Sequence, residues 1–455
     1  MITSSTPLWQ EGAVRELRPS LKVDAEADVA VVGGGYTGLW TAYYLKTLAP
    51  NLSIVVIESE RIGFGGSGRN GGWCSAFLPM SPSEMSAQHG EQAMRFIQQQ
   101  MFDTIDEIER ITTIEKIYCS FRKGGTLTSA SNSAHVERIQ NYVRDWHFAG
   151  FDDTVMRWEN ASQLRERINV RKTYGGVFSP HCAAIDPFAL VTGLAKAVER
   201  LGVTIYEQSH VTMISPHQVI TQNATIRAKW VVRAIESFAS QMRQTKRNIA
   251  PVYSLMVATE PLSPDRWKEI GWTANETFAD GRNMVTYAQR TADGRIAFGG
   301  RGAPYHFGSR ISSNYDRHRG IQEQLKQFIR VTFPLLDDVR FTHEWGGPVG
   351  APRDWHAFAN VDQRTGLCSG GGYVGDGVAL SNLVARTLTH QILNTGSPLT
   401  NSLLANHSAK QWEREPIRWI GINGLLKLTD YADKREQRTG KPSTRVLAIR
   451  DGLLG

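Results

Sequence analysis

The sequence predicts an α/β fold, a doubly wound parallel sheet joined to a second, α+β domain built on an antiparallel sheet, and three observations carry that prediction. The run Asp28-Val29-Ala30-Val31-Val32 is short, apolar and β-branched; glycines 33–35 turn it; residues 39–48 have helical apolar spacing; and residues 53–57 form a second apolar strand ending at Glu58. Parallel strands joined by a helix require a sheet covered on both faces. Next, Asp186-Pro187 reads as an N-cap followed by proline at the first helical position, with a helix to about Leu201 closed by Gly202. Short strands at 203–206, 209–214, 219–221 and 224–235 then lead back to the first sheet. Finally, between about 250 and 345 the pattern changes to alternating strands (254–259, 283–289, 294–299) with one helix near 316–331, an antiparallel sheet with a helix of its own. The chain returns to the first sheet at 366–372, a helix starts near Val378, and beyond Thr400 an amphipathic helical tail containing Trp412, Trp419, Leu425, Leu426 and Leu428 packs on the body.

The resulting division assigns 26–115, 180–247 and 345–400 to the parallel-sheet domain, 116–179 to the first part of a substrate or cap region, 248–344 to the antiparallel substrate domain and 401–455 to the tail. A chain of 455 residues accommodates two or three such domains. Its formal charge of +7 is diffuse and gives no reason to expect nucleic acid or a membrane as partner. Cys74, Cys119, Cys182 and Cys368 are scattered without CxxC spacing, and His181-Cys182 has no further ligand at a usual interval, so neither a disulfide framework nor a metal site is expected. Charged residues such as Glu11, Arg18, Lys22 and Asp24 break any secretory core, and no apolar run of membrane-spanning length occurs; a cytoplasmic protein is expected.

Gly33-Gly34-Gly35-Tyr36-Thr37-Gly38 satisfies G-x-G-x-x-G after a strand and at the opening of a helix, with Glu58 20 positions beyond Gly38. Gly33 permits the tight turn, Gly35 lets a pyrophosphate approach the backbone, and Gly38 lets helix and strand pack closely. The anion then sits on the helix N-terminus while Glu58 accepts hydrogen bonds from a ribose. The expected first domain is therefore a Rossmann-like dinucleotide-binding one. Gly63-Phe-Gly-Gly-Ser-Gly-Arg-Asn-Gly-Gly-Trp73 follows directly, a glycine-rich loop whose backbone N–H groups suit a second phosphate or a flavin edge.

With these two motifs and Gly371-Gly-Tyr-Val-Gly-Asp-Gly-Val378, the chain resembles the D-amino-acid-oxidase-like superfamily of FAD-dependent oxidoreductases, in particular its γ-glutamylputrescine oxidase-like branch. The resemblance implies FAD contacts from Gly33, Gly35, Tyr36, Thr37, Gly38, Glu58, Gly66, Ser67, Asn70, Gly71 and Gly72, from the Val211 backbone at the adenine, and from Gly372, Tyr373, Val374, Gly375 and Gly377 beside the flavin. The helix after that loop would direct its positive end toward the ring, where charge develops on reduction. Residues 346–349 offer no cysteine or histidine to tether the flavin and Cys368 lies in a strand, so the FAD is expected to be noncovalent.

Two departures from the superfamily pattern stand out. Arg233-Ala-Ile-Glu-Ser237 replaces the usual Ala-Thr-Gly or Ala-Asn-Ala, and Trp345-Gly-Gly-Pro-Val349 lacks the arginine that α-amino-acid oxidases often carry after Trp-x-Gly to clamp a carboxylate. The resemblance thus implies an enzyme that oxidises the C–N bond of an amine, γ-glutamylputrescine-like or another amine or amino acid. Hydride passes to flavin N5, giving an imine that water hydrolyses, with oxygen or another electron acceptor completing the cycle. A neutral amine in an apolar pocket needs no catalytic dyad. Alternatives are the flavin subunit of a larger amine or opine dehydrogenase, or a protein that retains FAD without turnover. On the substrate side, Tyr287 and Arg301 are the candidates for contact with the substrate, followed by Arg290, with Phe298 and Tyr305 on the same pair of strands and Trp73, Trp345 and His306 as possible walls.

Overall fold

The computed structural model describes residues 3–13 and 16–454. At the centre of the first sheet lies Ala25–Val32, whose last four residues are buried. It pairs in parallel with Ile54–Ile57 on one side and Thr225–Arg233 on the other. Across the sheet the order is Phe358–Val361, Leu367–Gly371, Thr225–Arg233, Ala25–Val32, Ile54–Ile57 and Thr204–Tyr206, parallel throughout except for the first pair. Val211–Ser215 and Gln218–Thr221 add an antiparallel hairpin to Thr225–Arg233. Since the chain leaves the central strand toward both sides of the sheet, a crevice opens beyond its C-terminal end.

The helix Tyr36–Leu48 is buried from Tyr36 to Leu45 because it is sandwiched between the sheet and the helices Pro187–Arg200 and Gly377–Leu393. Leu39, Trp40 and Leu45 have no exposed surface, and each such side chain contributes roughly 1.5–3 kcal/mol by burial. The helix predicted after Asp186 is Pro187–Arg200, and Asp186 caps it by accepting from the Phe188 and Ala189 N–H groups, both at 2.9 Å.

The second sheet has eight strands in the order Phe341–Ala351, Ala250–Thr259, Ile296–Gly300, Thr286–Arg290, Thr277–Asp280, Thr126–Ser129, Gly175–Ser179 and Arg157–Asn160. All neighbours are antiparallel except Thr277–Asp280 with Thr126–Ser129. Residues 126–179 thus widen the sheet, and the helix Arg319–Thr332 covers its core of Phe298, Leu325 and Ile329. Two placements differ from the sequence reading. Arg301 and Tyr305 lie beyond the strand, which ends at Gly300, because Gly302 takes a positive φ of 111° and Pro304 lacks an N–H for a ladder. In the tail, Trp412 is buried in an irregular segment before the helix Ile417–Thr439, whereas Trp419 points outward and is 42% exposed; the buried positions are Arg418, Ile422, Thr429, Ala432 and Glu436. Among the described residues no helix is long and apolar enough to cross a membrane.

Candidate active site

A cavity of about 700 Å³ occupies the crevice at the ends of the parallel strands. Residues 32–37, 57–60 and 234–238 reach it from three adjacent strands, Gly63–Ser67 and Asn70 form one wall, and Tyr373, Gly375, Gly377 and Val378 close the far end. Gly33 turns the chain with φ 108°, and a Cβ there would stand 2.4 Å from the Ala234 carbonyl oxygen. At Gly38 a Cβ would meet the Gly33 carbonyl oxygen at 2.1 Å, so only glycine lets the helix sit this close to its strand. Ser67 Oγ accepts from the Tyr36 N–H at 3.0 Å, joining the glycine-rich loop to the first turn of that helix. Glu58 accepts from Gly34 N–H at 2.8 Å and Glu60 N–H at 3.0 Å. Burial pushes its carboxyl pKa up, against the downward pull of those two bonds.

The glycine-rich loop is organised by Asn70, whose amide donates to the Gly66 carbonyl at 3.0 Å while its Oδ1 accepts from Gly72 N–H at 2.8 Å. Gly71 and Gly72 turn toward the second sheet: a Cβ on Gly71 would strike the Tyr287 ring at 2.5 Å, and one on Gly72 the Gln289 amide at 1.9 Å. This loop is also supported from outside, by Trp9 and Gln10, which sequence reasoning missed, and by Trp345, which it read as a wall. Trp9 Nε1 donates to Asn70 O at 2.8 Å and Gln10 Nε2 to Gly63 O and Gly68 O at 3.1 and 3.2 Å. Trp345, 1% exposed, donates to Arg69 O at 2.8 Å, and Arg69 is held by Asp316 at 2.7 Å. Their positions, scattered from 9 to 345, gave no local signal.

At the far end, Tyr373 hydroxyl and Thr37 Oγ1 lie 2.6 Å apart, tying the two glycine motifs together. Gly377–Leu393 begins at the cavity, with its N-terminal N–H groups at that end. Gly372 and Val374 pack behind the loop, Gly372 against His356 and Pro352 and Val374 in a cluster with Trp412 and Ile422. Val211 lines the opposite end beside His210 and Thr212. Of the atypical segment 233–237, residues 234–237 also line the cavity. Its Glu236, at φ 43°, accepts from Gly350 N–H at 2.8 Å through Oε2, while among the described residues no hydrogen bond reaches its buried Oε1, and burial raises its pKa against the pull of the backbone N–H groups around it.

Beyond Gly375 the two sheets meet around a second group of side chains. The Tyr287 ring lies against Gly71 and Gly299, its hydroxyl 2.6 Å from Ser254 Oγ, and Trp73 meets it edge-on at 6.2 Å. Arg301 donates to the Val374 carbonyl and stands 2.8 Å from where a Gly375 Cβ would be. The other candidates are placed elsewhere. Arg290 binds Trp272 O and lies over Trp267, Phe298 is core and stacks on Phe328, Tyr305 bonds to Glu415, and His306 stacks on Tyr315.

A crevice at the switch point of a parallel sheet, turned by glycines where a Cβ would clash and with a buried carboxylate just after the second strand, is the architecture of a dinucleotide-dependent oxidoreductase. The cavity continues past the first glycine turn to a second glycine loop and helix N-terminus, and these residues fit FAD: the volume of about 700 Å³ suits two nucleotide halves, and the backbone N–H groups at both loops suit its phosphates and ring. The chain matches the family described as "DAO: FAD dependent oxidoreductase" over residues 28–391, and it belongs to that family. It is 28% identical over 396 residues to the gamma-glutamylputrescine oxidoreductase of Escherichia coli (strain K12), covering 85% of this chain and 89% of that one. With the probable oxidoreductase OrdL of Haemophilus influenzae it shares 26% identity over 392 residues, 84% of this chain and 86% of the relative. Its fold is similar to glycine oxidase from Geobacillus kaustophilus (TM-score 0.66, 19% identity, 84% and 99% coverage) and to L-proline dehydrogenase from P. horikoshii (TM-score 0.67, 17% identity, 84% and 97% coverage).

Proposed function

We propose that this FAD-dependent oxidoreductase dehydrogenates the C–N bond of an amine whose carboxylate, where it has one, lies away from the reacting carbon, as in a γ-glutamyl amine. The observation that carries this reading is the uncharged wall at 346–349. Pro348 and Val349 line the cavity, and the guanidinium that lies against Gly347, that of Arg69, is already paired with Asp316. A carboxylate on the reacting carbon would be buried there without a bidentate partner, at a cost of several kcal/mol. Bound noncovalently, FAD supplies the two-electron acceptor for that bond. The glycine turns 33–38 and 63–67 hold its phosphates by backbone N–H groups, Glu58 takes the ribose, and residues 373–377 support the ring. Tyr287 and Trp73 present an apolar surface that excludes water from the reacting amine, while Arg301 offers a cation for a distal anionic group.

Anaerobic mixing of the yellow holoenzyme with γ-glutamyl amines, polyamines, N-methyl amino acids, D-alanine and glycine tests the reading through loss of the oxidised flavin band. A γ-glutamyl amine or polyamine is expected to bleach it faster than D-alanine or glycine, and the reverse order would overturn the argument from the missing clamp.

A further inference from the structure

We infer that Asp376 is the anionic anchor for the substrate's ammonium group, which makes this site selective for cationic amines and gives the amine's proton a place to go. This rests on the amine reading above and names the residue that enforces it. Asp376 stands at the N-cap of Gly377–Leu393, between two glycines that line the cavity; it is not itself part of that lining but lies within electrostatic range of Arg301 and Tyr287, the groups beyond Gly375 where the two sheets meet. Aspartate at an N-cap ordinarily accepts from the first turn of its own helix, yet this side chain makes no such bond. No hydrogen bond or ion pair to it occurs among the described residues, and it keeps partial contact with the open space beside the loop. A half-buried carboxylate left unpaired is costly unless a ligand completes it.

Its surroundings explain which ligand. Arg301, on the loop after Ile296–Gly300, is within electrostatic range but has committed a donor to the Val374 carbonyl. Tyr287 on Thr286–Arg290, Tyr142 on Ser133–Phe148 and Cys182 on Cys182–Ala184 are the other titratable groups that feel its charge. The tyrosines and the thiol are pushed upward by burial and stay neutral at pH 7, and among the described residues Arg301 is the one cation whose charge reaches the carboxylate. Burial likewise pushes Asp376 up to about 6, with Arg301 opposing. The group is thus an anion at neutral pH and a proton acceptor within a few units of neutrality. When an ammonium docks, its N–H bond breaks, an O–H bond forms on Asp376, and the electron pair stays on nitrogen as the lone pair that amine oxidation needs.

The probe is tert-butylammonium, which carries no hydrogen on the carbon bearing nitrogen and so cannot be dehydrogenated, compared with neutral tert-butanol. Binding to the holoenzyme is read as a perturbation of the flavin absorption band. The wild-type protein is expected to bind the cation at least tenfold more tightly than the alcohol at pH 8, and to lose that preference as pH falls through about 6 and the carboxylate is protonated. D376N is expected to show no preference, and D376E to retain it. Flavin reduction by the best amine of the panel should plateau above about pH 7 in the wild type, but in D376N climb toward about pH 10, following the substrate's own ammonium. A pH-independent cation preference in the wild type, or one that survives in D376N, overturns the assignment. Asp376-dependent binding of tert-butylammonium without bleaching by any amine would leave the anchor standing and remove the dehydrogenation proposed above.

Discussion

Both oxygens of Glu58 are oriented by backbone N–H groups of Gly34 and Glu60. Such a carboxylate can accept two ribose hydroxyls without first reorganising, and a hydrogen bond to a charged group contributes roughly 1.5–3 kcal/mol. E58A is therefore expected to weaken FAD binding by about ten- to hundredfold, while enzyme saturated with FAD is reduced by substrate at an unchanged rate, because Glu58 lies at the opposite end of the cavity from Gly375. Titrating the apoprotein with FAD and following single-turnover bleaching at saturation separates the two effects. An unchanged dissociation constant in the folded variant would remove Glu58 from the cofactor site. Asp376 is the contrasting case at this scale: the Glu58 carboxylate is engaged by backbone donors, whereas Asp376, at the N-cap of Gly377–Leu393, makes no capping bond.

The N-terminal 3-10 turn Leu8–Gln10 shows how a short element acts on a distant one. Its Trp9 and Gln10 side chains bond to carbonyls of residues 63, 68 and 70, locking the loop that forms one wall of the cavity from outside. Trp9 also meets Trp345 edge-on at 6.5 Å, which anchors the turn on the second sheet. The double variant W9A/Q10A removes three neutral hydrogen bonds of roughly 0.5–1.5 kcal/mol each. Its expected outcome is FAD dissociation at least tenfold faster, read by stopped-flow recovery of flavin fluorescence, with the secondary structure by circular dichroism unchanged. Dissociation at the wild-type rate would mean that the loop holds its shape without the turn. The turn, helix and next strand around Gly33–Gly38 are by contrast contiguous in sequence, with Ser67 and Tyr373 adding contacts from outside.

That contrast explains what was legible in the chain. The unit from Asp28 to Glu58 could be read because its chemistry is spaced within one βαβ segment, and Asp186 could be read as a cap because capping is local. Glu236, the Arg69–Asp316 pair and the strand pairing of 126–129 with 277–280 could not, because each depends on segments brought together across 100 or more positions. Arg301 was read as a substrate-side residue but on the wrong element, since Gly302 and Pro304 release it from the strand. Its position is expected to depend instead on the tail helix Ile417–Thr439, which bridges the cap region and the turn before Thr286–Arg290. Glu436 pairs with Arg138, and Asp433 accepts from Asn283 N–H and Met284 N–H at 2.7 and 2.8 Å. Two residues on, Val285 O accepts from the Arg301 N–H at 3.0 Å. A path of hydrogen bonds and backbone therefore runs from the tail helix to the guanidinium beside Gly375 and avoids the cofactor cavity altogether. D433A leaves two backbone N–H groups without their acceptor, at roughly 1–3 kcal/mol, and frees the 281–285 turn. The expected result is a KM for the amine raised about fivefold or more with an FAD dissociation constant within twofold of wild type, measured on the same preparation by steady-state kinetics and apoprotein titration. Equal losses in both quantities would make the helix a general stabiliser of the fold, and an unchanged KM would show that Arg301 is positioned from elsewhere.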